Sequence, residues 1–139
     1  MKRAIGLDLG DKTLGVASSD LSRFIASTYK TIRFEKDDFQ TALAELKKVI
    51  AELDPDTIAL GLPKNMDGSV GFQAQKILDF KEMIDKEIKI EVVLIDERLT
   101  SKMADSLMLS ADFSRKKRKE KSDTMAAALI LQSYLDRRK

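Results

Sequence analysis

Ala4-Ile-Gly-Leu-Asp-Leu-Gly-Asp-Lys-Thr-Leu-Gly-Val-Ala-Ser-Ser-Asp20 reads as two short strands joined by a glycine-bearing turn. Side chains alternate along a strand. Ile5, Leu7 and Leu9 therefore share one face, and Gly6, Asp8 and Gly10 share the other. The first set makes a core face. The second sets a carboxylate between two residues without side chains, where a ligand or another stretch of backbone can come close. Acids are depleted from strand interiors, and a buried ionised carboxylate is costly unless it is paired or bound to a metal. Asp8 therefore needs partners from elsewhere in the chain.

Outward from this hairpin, residues 3–9, 13–19 and about 25–33 read as three consecutive antiparallel strands. Phe39, Ala42, Leu43, Leu46, Val49, Ile50 and Leu53 follow helical spacing and predict a helix over 38–53, with Asp37 or Asp38 as its cap and Asp54-Pro55 as its end. Thr57–Leu62 is a short apolar strand, and Pro63–Gly68 has turn chemistry. A second helix over about 71–86 carries Ile77, Phe80 and Ile84 on one face, and Ile90–Ile95 is a strand with little alternation. Helices follow at about 101–109 and 122–137, separated by a basic segment. A meander followed by β-α units with right-handed crossovers predicts one α/β domain over 1–139, a mixed sheet with helices on both faces.

Composition narrows the chemistry. Cysteine and histidine are both absent from the 139 residues, which removes thiolate metal sites, disulfides and the commonest general base. Catalysis must rest on carboxylates, lysine, hydroxyls or a metal held by oxygen, and hard oxygen ligands suit Mg²⁺ or Mn²⁺. No apolar run reaches the length of a membrane span and no secretory pattern opens the chain, so a cytoplasmic protein without a membrane partner is expected. The segment Arg115–Lys121 has six cations and one anion, a net +5 in a chain of net +2, which leaves −3 for the rest. Such concentration suits contact with a phosphate backbone, or else a solvated loop.

Three further acids stand out as partners for Asp8. Asp96 and Glu97 close the strand ending at Ile95, a common functional position. They point to opposite faces if the strand persists, so only one joins a shared site. Asp123 follows Ser122, which reads as an N-cap, and the dipole of the helix would then favour its ionised form. Ala126, Ala127 and Ala128 let that helix approach the sheet closely. Two carboxylates ~4 Å apart repel by about 4 kcal/mol at an effective dielectric near 20. Convergent acids therefore call for a divalent cation, and beside a basic segment they point to metal-assisted phosphoryl transfer on a nucleic acid. Gly6 and Gly10 would leave room for metal and phosphate.

Four segments together resemble the YqgF-type (RuvX) bacterial family, described as pre-16S ribosomal RNA nucleases and earlier as Holliday-junction resolvases. They are Gly6-Leu-Asp-Leu-Gly10 with Gly15-Val-Ala17 and Ser19-Asp20; Gly61-Leu-Pro-Lys-Asn-Met-Asp-Gly68; Asp96-Glu-Arg-Leu-Thr-Ser101; and Ser114–Lys119 followed by Asp123 and Ala126–Leu135. The resemblance implies a ribonuclease H-like (RNase H-like) fold with a five-stranded sheet ordered 3-2-1-4-5. It also implies that Asp8, Glu97 and Asp123 are the catalytic, metal-binding acids, which prefers Glu97 over Asp96. Asp11 departs from the family pattern, where a threonine or serine is expected, and an extra acid there would bear on metal affinity or substrate approach.

Lys12, Asn65, Arg98, Arg115, Lys116, Lys117 and Arg118 are the candidate nucleic-acid contacts, and Phe113 beside the last group offers a ring to a base or to the core. The expected function is a metal-dependent endonuclease on structured RNA, processing the 5′ end of pre-16S ribosomal RNA. The alternative is a resolvase of branched DNA, which needs a dimer, where a monomer or weak dimer is otherwise expected. A nucleic-acid-binding factor with little catalysis ranks lower. So does an actin-like or sugar-kinase reading of Asp8-Leu-Gly10, which needs a second domain that the length leaves no room for.

Overall fold

β1 (Ala4–Leu9), β2 (Thr13–Ser19) and β3 (Ala26–Arg33) form the meander predicted from the opening stretch. After them come α1 (Phe39–Leu53), β4 (Thr57–Leu62), α2 (Phe72–Glu87), β5 (Glu91–Asp96) and a last helix, α3 (Arg115–Arg137). This is a computed structural model, and it describes residues 2–63, 71–96 and 115–137, with side chains of α3 from Met125 onward. The strands make one sheet in the order β3-β2-β1-β4-β5. β2 pairs antiparallel with β1 and β3, whereas β4 and β5 run parallel to β1.

The period-2 reading of β1 holds on both faces. Ile5, Leu7 and Leu9 join Ile58, Leu60 and Leu62 of β4 under α1 and α2. Leu43, Leu46 and Val49 of α1 and Ile77, Phe80 and Ile84 of α2 cover them, as the helical spacing predicted. Phe39 meets Phe34 and Phe80 edge-on, with ring centroids 6.0 and 5.9 Å apart. The cap of α1 is Asp38, whose carboxylate accepts from the Thr41 amide. Asp37 instead takes a left-handed turn (φ 61°), and Asp54 ends the helix in the left-handed region (φ 50°), its amide donating to Ile50.

The opposite face of the sheet is paved with small residues, Ala4, Gly6, Ala17 and Ala59, and α3 lies on it with Ala127, Ala128, Leu131 and Tyr134. Small side chains on both partners bring helix backbone close to strand backbone, which is the use the alanine run suggested. The Gln132 side chain accepts from the Ala26 amide at 2.9 Å and donates to the Phe24 carbonyl at 3.0 Å. Ala26 pairs with Ser19, whose hydroxyl accepts from the Ala4 amide. The C-terminal half of α3 thus lies at the start of β1, and α3 runs antiparallel to that strand.

One boundary differs from the sequence reading. α3 begins at Arg115, so the basic segment is helix, and Ser122 is interior to it rather than its cap. Lysine, arginine and glutamate are good helix formers, and nothing between Arg115 and Ser122 breaks the run. The expected helix at 101–109 lies outside the described residues. Among the described residues no helix is long and apolar enough to cross a membrane.

Candidate active site

Asp8 stands half-buried near the end of β1, opposite Gly15 of β2, on the face covered by α3. Its two glycine neighbours do different work. A Cβ at Gly6 would lie 2.5 Å from the Ala127 carbonyl oxygen and 2.7 Å from the Leu131 Cβ. The space beside Gly6 is therefore filled by helix backbone, and the expectation that it would admit metal and phosphate is corrected. At Gly10, among the described residues, a Cβ would meet Thr13, at 3.2 Å from its hydroxyl and 3.6 Å from its carbonyl, and no helix backbone.

The helix that fills Gly6 also sets the level of position 123. Residues 123, 127 and 131 follow i, i+4 spacing and share a flank of α3. One turn from 127 to 123 spans ~6 Å along the helix, and two residues from Gly6 to Asp8 span ~6.6 Å along the strand. Gly6 packs between 127 and 131, and because α3 and β1 are antiparallel, the step from Gly6 to Asp8 leads along α3 toward the turn that carries 123. Asp123 is thus in the interior of the helix and does not take the first-turn dipole environment that its sequence suggested.

On the third strand of the site, Leu62 pairs with Asp96 in parallel register. Leu62 belongs to the core under α1 and α2, so Asp96 takes that face and not the face of Asp8. Glu97, Arg98 and Asn65 lie outside the described residues, as do Asp67, Gly68 and Phe113. Among the described residues no three acids group closely enough to hold a metal. Where β1 ends, Asp8 brings a carboxylate to this face, a hard oxygen donor of the kind that suits Mg²⁺ or Mn²⁺.

Lys12 is exposed in the β1–β2 turn, whose backbone is tied down where the Lys12 carbonyl accepts from the Phe34 amide at 2.9 Å. Arg115, Lys116, Lys117 and Arg118 form the first turn of α3 rather than a loop. Asp11 turns away from Asp8. Its carboxylate pairs with Lys76 of α2 at 3.2 Å, and Asp37 pairs with the same ammonium at 2.8 Å. The hydrogen bond that Lys76 donates to Asp37, with help from the one to Asp11, holds Lys76 above the usual lysine range although partial burial opposes it. The extra acid is thus engaged by α2 and is no part of the Asp8 face. Lys76 and Phe72 escaped the sequence reading, which followed only the buried stripe of α2. The usable signal was an aromatic at the first helical position, one turn before a lysine.

A model of the RuvX family, described as Holliday junction resolvase, matches residues 2–137. A protein of Geobacillus sp. (strain WCH70) named "Putative pre-16S rRNA nuclease" is 46% identical over 134 residues, covering 96% of this chain and 97% of its own. Among solved structures, T. thermophilus RuvC in complex with Holliday junction substrate superposes with a TM-score of 0.62 at 15% identity, over 99% of this chain and 96% of that one. The Fowlpox virus resolvase with substrate Holliday junction DNA gives 0.61 at 12% identity, over 97% of each chain. These two establish the RNase H-like fold for the sheet and helices described above. With the family model spanning almost the whole sequence and close to half of the residues shared with a full-length relative, this chain belongs to the RuvX family.

Proposed function

We propose that this chain is a divalent-metal-dependent endonuclease acting in the cytoplasm on structured RNA, at the 5′ end of pre-16S ribosomal RNA. Asp8, Glu97 and Asp123 are its metal-holding acids. The observation that carries the reading is that Asp8 lies on the sheet face covered by α3, with the contact of Gly6 at 127 and 131 setting the antiparallel helix so that 123 lies toward the Asp8 end of β1. Asp96 stands on the other face, which favours Glu97 as the acid contributed by the end of β5. The 46% identity to a relative named for pre-16S rRNA supports RNA over DNA.

When bound, Mg²⁺ or Mn²⁺ supplies water activation and charge neutralisation at the leaving oxygen. The chain's own residues do the rest. β1 and its antiparallel neighbour hold the Asp8 carboxylate at a fixed height, half-buried, and a phosphate approaches it from the Gly10 end. Lys12 and Arg98, with Asn65, bind the substrate backbone near the acids, and Arg115, Lys116, Lys117 and Arg118 bind it further along. Such contacts orient the strand and carry little sequence information.

The junction-resolvase reading is favoured by the family description and by the junction-bound solved structures. It requires two sites in a dimer. Both readings are tested by cutting assays on matched RNA and four-way DNA substrates with Mg²⁺ or Mn²⁺, comparing the parent with Asp8→Asn. Metal-dependent cutting of RNA that Asp8→Asn loses is expected, a drop of at least about 10²-fold for removal of a charge-stabilising group. Preferential cutting of the junction by a dimer supports the resolvase. Tight binding without cutting by the parent supports a binding factor. Equal cutting by parent and variant overturns the acid-cluster mechanism.

A further inference from the structure

Phe72 is the most exposed large apolar side chain among the described residues, at 80%. It is not loose. The Lys76 ammonium sits 4.9 Å from its ring centroid, one helical turn along. That ammonium is itself pinned by Asp37 at 2.8 Å and Asp11 at 3.2 Å, and the Lys76 side chain is only 15% exposed. Two carboxylates thus hold one cation, the cation holds one flank of the ring, and the rest of the ring faces solvent. Asp11 lies three residues after Asp8, in the turn that follows β1, so the ring stands on the sheet edge at which β1 ends.

The charge of the group selects its ligand. Lys76 is outnumbered by its two acids, leaving the cluster at −1, so it repels a phosphate. An exposed aromatic face with no net positive charge suits the π-face of a base. Resting on the nuclease reading above, we propose that Phe72 is a stacking platform for an unpaired base of the RNA substrate. Lys76, Asp11 and Asp37 are its positioning residues, and the backbone charge of the substrate is met by the cations already named, Lys12 and Arg98 and the basic turn of α3. The platform accounts for Asp11, the acid that departs from the family pattern: it steadies α2 and has no role on the Asp8 face.

The test uses the full chain carrying Asp8→Asn, with two probes of matched sequence: single-stranded RNA containing 2-aminopurine, and the fully paired duplex. Loss of one base stack corresponds to roughly a 5- to 150-fold rise in Kd. Phe72→Ala is expected to weaken single-stranded binding by that factor, to abolish quenching of 2-aminopurine, and to leave duplex binding within about twofold. Phe72→Trp restores both signals. Lys76→Gln reduces the quenching and Lys76→Arg restores it. Unchanged single-stranded affinity in Phe72→Ala, or an equal loss on both probes, overturns the platform. If the Asp8-containing parent cuts RNA while Phe72→Ala binds like its parent, the platform falls and the nuclease reading stands. Phe72-dependent binding without any cutting gives the reverse. Absence of binding to either probe overturns both.

Discussion

At Gly6 the distance between sheet and helix is set by a missing methyl group. Ala127 offers a backbone oxygen 2.5 Å from the position of a Cβ, and backbone in a packed helix cannot rotate away. Gly6→Ala should therefore destabilise the fold by about 1–3 kcal/mol, the usual range for overpacking, measured by urea denaturation. Gly10→Ala is the control. Its nearest neighbour is the Thr13 hydroxyl at 3.2 Å, on a side chain with other rotamers, so stability should change by less than about 1 kcal/mol. The two glycines flank Asp8 symmetrically in the sequence, and nothing local distinguishes them. Their difference arises from a helix more than a hundred residues later, which is why the strand face was legible from the residues alone while the use of each glycine was not. Asp11 is a similar case. Its departure from the family pattern was visible, but its partner Lys76 is 65 positions away.

Among the elements, those with strong local signals appear where the sequence puts them. β1, β2 and β4 follow alternation or a short apolar run, and α1 follows its heptad-like stripe and its Asp38 cap. The start of α3 was misplaced because a run of like charge reads equally as solvated loop and as helix, and propensity alone does not decide between them. The β2–β3 hairpin shows how one residue closes an element. Oδ1 of Asp20 accepts from the Phe24 amide at 2.8 Å and the Ile25 amide at 3.0 Å, and Oδ2 accepts from the Ser22 hydroxyl. The Ile25 amide first, then Ser22 and Phe24, lower its pKa from 3.8 to about 2. A depressed carboxylate contributes stability that is complete above the unfolded value and is lost as pH falls through the folded one. The hairpin should accordingly hold its closed form down to about pH 4 and loosen between 3.8 and about 2. A carboxyl titration of Asp20 by NMR should give a midpoint near 2, whereas a midpoint at the ordinary 3.8 would show that these amides do not engage it.

Over the whole molecule, charge and helix polarity are set against each other. α3 runs antiparallel to β1 and meets Gly6 between 127 and 131, so the turn at 115–118 lies past Asp8 along the helix, on the side where β1 ends. That turn holds Arg115, Lys116, Lys117 and Arg118 and no acid. Cations at the positive end of a helix dipole are unfavourable by roughly 0.3 kcal/mol or more each at low salt. A sequence selected for stability alone would place acids there. A phosphate backbone tracking past Asp8 would offset that cost. This gives two effects of opposite sign from one variant. Replacing all four by glutamine keeps good helix formers in place and should leave the thermal midpoint equal or higher in low salt. The same replacement should weaken RNA binding across all sequences and flatten its dependence on salt. Each lost phosphate contact removes about 0.7 from the slope of log K against log salt on a single strand, so the slope should fall by up to ~3 for four contacts. Binding titrations at several salt concentrations measure it. An unchanged slope, with the stability gain present, would place the nucleic acid on another face of the molecule.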